Sequence, residues 1–434
     1  MDESKILEII YQYNKFWTTG RIDAGIERDL LGTCVRQLEA KETMVLKGVR
    51  RSGKSTLMAQ MIRFLLDHGR HPAQILRVSL EEPLFAAATS IELLERIYRV
   101  YRERVYPEGR CYLFLDEIQN VPMCERWVRG RNETENIKIV ITGSSSRLLT
   151  REAGTALTGR HLSFEVAPLC FAEFLRFKAM DVNGVDQYVA QKAMIRHLLS
   201  EFRTFGGFPE VVLRPDNPDK EMLLKQYFED IVHRDVAARH DIRDILTLQN
   251  LAVFLLTTIG QLTSISNLKK NLNVSQDKVE NYTSALLETY LVSRITKLEP
   301  SIKKNLRSRF KPYAVDTGLR NRVAFTFSED SGWLAENMVH AHLKRRHEAI
   351  YYEANDRNVD FVVKEGLAVT RRIQVWYADP SSTVVPEREV AAFAAAGRTE
   401  GENLLITNDI AQTIALGKTE VRCVPLALFL LDMD

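Results

Sequence analysis

No segment of this chain reaches the run of about 18 apolar residues that a membrane-spanning helix needs, although 45% of its 434 residues are hydrophobic. The opening residues, MDESKILEII, lack the basic start and apolar stretch of a secretory signal. Closely paired cysteines are missing too. Cys34, Cys111, Cys124, Cys170 and Cys423 are scattered and none forms a CxxC, which argues against a zinc ribbon or a disulfide framework and fits a reducing compartment. Charge of one sign is absent: 59 basic against 57 acidic residues leave +2, so a surface for a polyanion has to be a local patch. There is no solenoid-period repeat and no low-complexity tract. These absences predict a soluble, cytoplasmic protein, and the length suggests roughly two to four domains.

What is present begins at positions 46–58, LKGVRRSGKSTLM. Gly48-Val-Arg-Arg-Ser-Gly53-Lys54-Ser55 matches GxxxxGK[ST] at every fixed position. Gly48 and Gly53 let the backbone turn its N–H groups toward phosphate oxygens. Lys54 supplies a mobile cation for the outer phosphates, and Ser55 offers a hydroxyl to Mg²⁺. TMVLK (43–47) reads as a buried strand before the loop. A helix from about Lys54 through His68 follows, with Leu57, Met61, Phe64 and Leu65 on its core face and its positive end on the phosphates. Arg51, Ser52 and Thr56 complete the predicted nucleotide contacts. Arg50 or Arg51 either reaches the nucleotide or a neighbouring acid, or is simply solvated. Before the loop, Ile22, Ile26, Leu30, Leu31, Val35 and Leu38 fall near helical spacing and predict a helix.

CYLFL (111–115) is an apolar strand that runs into Asp116 and Glu117. At such a tip Asp116 can hold Mg²⁺ and Glu117 can polarise an attacking water. IKIVI (137–141) leads into Thr-Gly-Ser-Ser-Ser, where Ser144, or Ser145 beside it, is placed to sense the outer phosphate; a serine-rich helix cap is the alternative. QILRVSL (74–80) is a further buried strand. Strands alternating with helices predict an α/β fold on a parallel sheet covered on both faces.

With these pieces in place, the chain resembles the bacterial and archaeal AAA-type ATPases that carry a winged helix and a C-terminal nuclease-like domain of long-unassigned function. The resemblance rests on KGVRRSGKSTLM, LFLDEIQNV, IVITGSSSRLL, LTGRHLSFEVAPLCFAEFL, TFGGFPEVVL, YFEDIVHRDVAARH, YAVDTGLRNRV, GWLAENMVHAHL and NVDFVV, in the family's order over most of the chain. It implies ATP rather than GTP, which the loop alone does not decide, and a homo-oligomer, a hexameric ring. It also implies an arginine acting across a subunit interface from the TGR segment, here Arg160. Arg147 and Arg151 compete for that role, and a helix-end arginine paired with Glu152 or Glu165 is the plainer alternative.

The middle of the chain reads as helical. Residues 181–244 follow the 1–180 nucleotide core as an expected lid, with TFGGFPEVV (204–212) as a turn. His233, Arg234, Asp235 and Arg239 could sense nucleotide there, but an ion-paired helix face is the better account. Residues 245–312 then run helix, helix, longer helix and β-ribbon, the order of a winged helix-turn-helix. Lys269, Lys270, Lys278, Lys303, Lys304, Arg307, Arg309 and Lys311 fall where such a fold meets phosphate, which predicts contact with duplex or branched DNA. A wing used only for protein packing is the alternative.

Residues 313–434 resemble the nuclease-like end domain with its pattern E…D…(D/E)xK. Glu336 and Asp360 match, but the third strand reads Gln374-Val375-Trp376. An uncharged amide replaces the acid and an indole replaces the lysine that positions water. Lys364, Arg371 or Arg372 are the candidates to stand in; a retained fold without cleavage fits better. Taken together, the expectation is a Mg-dependent ATP hydrolase acting as a ring motor on DNA, with a nucleotide-controlled assembly scaffold as the alternative.

Overall fold

Every apolar run predicted as a strand in the first domain is one in the computed structural model, which describes residues 2–86, 89–144, 160–299, 309–325, 330–354, 358–377, 384–394, 401–417 and 419–433. These strands are β1 (Thr43–Lys47), β2 (Ile75–Ser79), β3 (Cys111–Asp116) and β4 (Ile137–Gly143), joined by β5 (His161–Glu165). All pair in parallel, in the order β2-β3-β4-β1-β5. Side chains alternate across such a sheet. Val45, Leu113 and Leu115 therefore share one core with Ile6, Leu94, Ile97 and Trp127. Met44, Leu46, Tyr112 and Phe114 share the other with Leu57, Met61 and Ile62 of the helix Lys54–Asp67. Both faces are covered, so β3 and β4 are buried at every residue. This unit comprises Met1–Ala167.

The helix expected before the loop is mostly absent: only Leu31–Val35 is helical. Its place is taken by a segment fastened to the helix Lys54–Asp67 by one side chain. The buried Gln60 amide donates to the carbonyls of Ala24 (3.0 Å) and Ile26 (2.6 Å) and accepts from Arg28 N (3.2 Å). These bonds satisfy backbone groups that a helix would otherwise have paired, and Gly25, at φ 57°, makes the turn.

The second unit, Pro168–Asp434, contains a mixed sheet of eight strands. They are β6 (Val292–Lys297), β7 (Phe310–Ala314), β8 (Ala349–Ala354), β9 (Asn358–Glu365), β10 (Ala368–Trp376), β11 (Glu402–Thr407), β12 (Gln412–Leu416) and β13 (Thr419–Pro425), in the order β12-β13-β11-β10-β9-β8-β6-β7. Three helices precede the β6–β7 hairpin: Ile245–Thr257, Ile265–Leu272 and Gln276–Glu288. Their starts are capped by Asp244, Ser264 and Ser275, whose side chains accept from backbone N–H groups three residues on. The helix expected over 225–240 keeps α geometry to Asp230, then widens to a π-turn over Ile231–Ala237. Helix Val185–Phe205 buries Ile195, Leu199 and Phe202 in the same cluster as Phe361, Ile373, Leu404 and Ile406. The divisions expected at 244 and 312 thus lie inside one compact unit, and 312 falls within β7.

Two of the recognised stretches, TFGGFPEVVL and YAVDTGLRNRV, meet each other. Asp316 accepts from Gly207 N (2.7 Å) and Leu319 N (2.9 Å). A Cβ on Gly318 would lie 2.0 Å from the Phe205 carbonyl oxygen, so the approach requires glycine. Burial pushes the Asp316 carboxyl up to about 6.

His340 lies buried, its ring stacked 4.1 Å from that of Tyr313. Burial, with a smaller push from Lys344, holds its pKa down at about 3. A base depressed in the fold stays neutral while the unfolded chain protonates near 6.5, so the linked stability is lost as pH falls below that value. Replacing it as His340→Phe keeps the stack and removes the linkage. Between pH 6.5 and 5, wild type should lose about 2 kcal/mol more than His340→Phe in urea unfolding; equal losses would show that His340 is not the group responsible.

Candidate nucleotide site

The site is built by register. β4 lies between β1 and β3, with Leu46 opposite Thr142 and Leu115 opposite Ile141. The loop after β1, the end of β4 and the acids after β3 therefore emerge side by side at the carboxyl edge of the sheet, where open parallel sheets bind their ligands.

The loop is shaped by close approach. Gly48 has φ 147°, and a Cβ there would stand 2.2 Å from the carbonyl oxygen of Val166. Arg51 and Gly53 also take positive φ, at 67° and 99°. The first helical bond runs from Leu57 N to Gly53 O (2.9 Å), so the amides of Lys54, Ser55 and Thr56 face the loop's concavity. Lys54 Nζ donates to the carbonyls of Gly48 (3.0 Å) and Val49 (3.1 Å) and lies 3.9 Å from Glu117 Oε1. The Ser52 hydroxyl is buried and has no hydrogen-bond partner, while its carbonyl accepts from Arg28 Nη1 (2.8 Å). An unpartnered buried hydroxyl, a ring of amides and a lysine within one loop suit a polyphosphate. Ser55 is half-buried at the helix start and Thr56 is exposed. Arg50 pairs with Glu81 at 3.1 Å, which answers for that residue whether it meets an acid.

Asp116 and Glu117 are both buried. Between them stands Thr142, which composition and motif did not single out. Its hydroxyl donates to Asp116 Oδ1 (2.5 Å) and accepts from Glu117 N (2.8 Å). Glu117 sits at φ 55°, with its Oε2 accepting from Ser144 Oγ (3.4 Å) and from Gln119. Arg77, at the middle of β2, places a guanidinium nitrogen 3.9 Å from Asp116 Oδ2. Lys54, Asp116, Glu117 and Ser144 are thus brought together; Ser145 lies outside the described residues. The sequence did carry a signal for Thr142, a polar residue closing an apolar strand one register step from an acid. Arg77 gave none.

Arg160 does not join this group. In the parallel β1–β5 register Thr43 faces His161, so Arg160 lies at the amino end of β1. The loop leaves the other end, roughly 16 Å along the strand. Arg160 pairs with Glu133, not with Glu165, which lies at the far end of β5. Arg147, Arg151 and Glu152 fall outside the described residues.

The basic residues predicted for DNA divide. Lys269, Lys270 and Arg309 are exposed. Lys278 is half-exposed and already paired: it contacts Asp244 and lies 5.7 Å over the Tyr282 ring. The hydrogen bond from its ammonium, with those from the Thr247 hydroxyl and N–H, holds the Asp244 carboxyl down at about 2. Lys311, expected on the wing surface, is buried. Lys303, Lys304 and Arg307 lie outside the described residues. In the segment expected as a lid, Arg234 lies 3.8 Å from Asp230, and Arg239 2.9 Å from Asp235, the helix-face ion pairs that were expected.

Glu336 and Asp360 do meet, but through Lys311, whose Nζ lies 3.1 Å from Glu336 Oε1 and 2.8 Å from Asp360 Oδ1. Gln374 turns its amide elsewhere. Its oxygen accepts from Asp360 N (3.1 Å) and its nitrogen donates to Glu389 (3.2 Å). Of the expected stand-ins for the missing lysine, Arg372 pairs with Glu353 (3.2 Å) and Arg371 with Glu402 (3.2 Å).

The sheet order, the loop and the paired acids define an AAA-type nucleotide-binding domain, and residues 40–175 match the AAA domain family. Residues 196–330 match a domain of unknown function (DUF8612). The chain is 34% identical over 329 residues to the uncharacterized protein MJ1544 of Methanocaldococcus jannaschii, covering 74% of this chain and 71% of that protein. It is 29% identical to an uncharacterized protein of Haemophilus influenzae, covering 78% of this chain and 83% of that one. The chain belongs to the AAA-type ATPases, in one family with MJ1544. Among solved structures, the Aeropyrum pernix ORC1 protein in complex with DNA overlays with TM-score 0.30 and 14% identity, over 69% of this chain and 92% of that one. No helix among the described residues is long and apolar enough to cross a membrane.

Thr142→Val keeps the shape of the strand end and removes both bridging bonds. It should lower stability by about 1–3 kcal/mol and weaken Mg-nucleotide binding measurably in calorimetry. Unchanged stability and unchanged affinity would show that the bridge is incidental.

Proposed function

We propose that this chain is a Mg-dependent ATP hydrolase of the cytoplasm whose turnover is coupled to duplex or branched DNA, working as a homo-oligomeric, hexameric ring. The observation that carries the hydrolase is the convergence of Lys54, Asp116, Glu117, Thr142 and Ser144 at one sheet edge under a glycine-shaped loop. Lys54 rests on two loop carbonyls and can exchange them for the outer phosphate oxygens once these arrive. Glu117 then orients and polarises the attacking water, with Ser144 and Gln119 fixing the carboxylate. Ser55 and Asp116 are the residues that would hold Mg²⁺, which when bound neutralises charge on the phosphates. Arg160, remote from its own loop, is suited to reach a neighbouring copy's nucleotide after leaving Glu133.

For DNA, the support is the order of three capped helices and a hairpin, with Lys269 and Lys270 exposed in the last turn of the middle helix and Arg309 exposed just before β7. We take residues 181–244 as lid, 245–312 as winged helix and 313–434 as a nuclease-like end domain that does not cut, with the β6–β7 hairpin shared between the last two as one edge of their common sheet. The second reading, an ATP-controlled scaffold for a protein partner, is favoured by one observation: Lys278 is paired with Asp244 and Lys311 with two buried acids, which thins the basic face.

Steady-state ATP turnover with single-stranded, duplex and four-way-junction DNA at two salt concentrations separates the two. DNA coupling predicts stimulation of several-fold by at least one form, weaker at the higher salt. It also predicts loss of the stimulation, at unchanged basal rate, in Lys269→Glu/Lys270→Glu. No stimulation by any form leaves the scaffold. Lys54→Ala should abolish basal turnover; a variant that still hydrolyses ATP at the wild-type rate would refute the site itself.

A further inference from the structure

The carboxylates of the second unit form an arrangement that their resemblance to a metal-dependent nuclease does not predict. Glu336 projects from the helix Asp330–Lys344 and Asp360 from β9, and both are buried. Lys311 enters from β7, in the hairpin assigned to the wing, and bonds to both. Tyr313, two residues along the same strand and therefore on the same face, donates to the same oxygen of Glu336 (2.7 Å). The second oxygen of Asp360 accepts from Val375 N (3.1 Å). Asp360 and Glu336 raise the Lys311 pKa against the effect of burial, which favours the ammonium form. Burial and the nearby Asp360 charge push the Glu336 carboxyl up to about 7.

A divalent ion has no place in this set. Mg²⁺ needs oxygen ligands at about 2.0–2.1 Å in an octahedron and keeps some of its waters. Between the two carboxylates lies a nitrogen that carries a positive charge and has no lone pair to offer. Gln374, the one residue at the position of the missing acid, has its amide oxygen on Asp360 N. Trp376, at the position of the expected lysine, has only an N–H donor. A buried pair of acids still demands compensation, and the chain supplies it from within.

We propose that Lys311 is a resident cation standing where a divalent ion would bind, so that the Glu336–Asp360 pair recruits no Mg²⁺ or Mn²⁺ and instead ties strand β7 to the helix Asp330–Lys344 and to β9. This makes the pair a clasp rather than a cutting site, and it holds whether or not the chain moves DNA. A cleft of about 510 Å³, lined by Gly260, Gln261, Leu262, Trp333, Lys311, Asp360 and Gln374, leads to the clasp. An ion would therefore have access if the ammonium were removed.

The test is a Mn²⁺ titration read by electron paramagnetic resonance on the nucleotide-free full chain carrying Asp116→Asn, which silences the first unit's own carboxylate. The proposal expects no stoichiometric Mn²⁺ on this parent. It expects one ion, bound at least tenfold more tightly than any residual binding, after addition of Lys311→Met, and loss of that ion when Asp360→Asn is added as well. Stoichiometric Mn²⁺ on the parent, removed by Asp360→Asn, overturns the proposal. So does a Lys311→Met chain with native circular dichroism that gains no ion. Should Lys311→Met fail to fold, the parent titration with and without Asp360→Asn decides alone: an ion that Asp360→Asn removes refutes the resident cation, and the absence of any such ion upholds it.

Discussion

The alignment of three neighbouring parallel strands governs the first unit. Because β4 lies between β1 and β3 in fixed register, the phosphate loop, Thr142 with Ser144, and the acids Asp116 and Glu117 must leave the sheet together. A slip in the pairing would move the loop away from the acids. The register is held by side chains that alternate between two cores, one under the helix Lys54–Asp67 and one under the N-terminal and Ile91–Arg104 helices. Thr142 converts this alignment into chemistry, since its one hydroxyl fixes both the Asp116 carboxylate and the backbone that presents Glu117.

The second unit obeys a different constraint. Its sheet is extended by a hairpin that the sequence assigns to another domain, and the joint is electrostatic as well as hydrogen-bonded. β6 pairs with β8 over only Thr296 and Lys297. The Lys311–Glu336–Asp360 cluster adds a buried tie between β7 and the elements around it. Breaking a buried ion pair by removing one partner typically costs about 3–5 kcal/mol. The hairpin is therefore an integral edge of this sheet.

Much of the first unit was legible because its signals are local. A buried parallel strand is a short apolar run, and the loop and acids are fixed by spacing and residue type. The pre-loop segment misled because Ile22, Ile26 and Leu30 have helical spacing, whereas the hydrogen bonds that decide its path come from Gln60, more than thirty residues away. Thr142 went unseen since its role depends on which strands are neighbours. Lys311 was misjudged for the same reason. It belongs to a run of basic residues that looks like a solvated wing, and only the sheet order brings it to two acids 25 and 49 positions further along the chain. Lys278 shows the same effect on a smaller scale, its partner Asp244 being the cap of an earlier helix.

The central claim is that Glu117 activates the water that cleaves the terminal phosphate, in a pocket that Lys54 and the loop create. An acid-quench measurement on Glu117→Gln, with ATP and Mg²⁺ in excess, tests it most directly. The account predicts ATP retained on the protein, with hydrolysis slowed at least about a hundredfold while affinity is kept. Turnover of Glu117→Gln at the wild-type rate would contradict it.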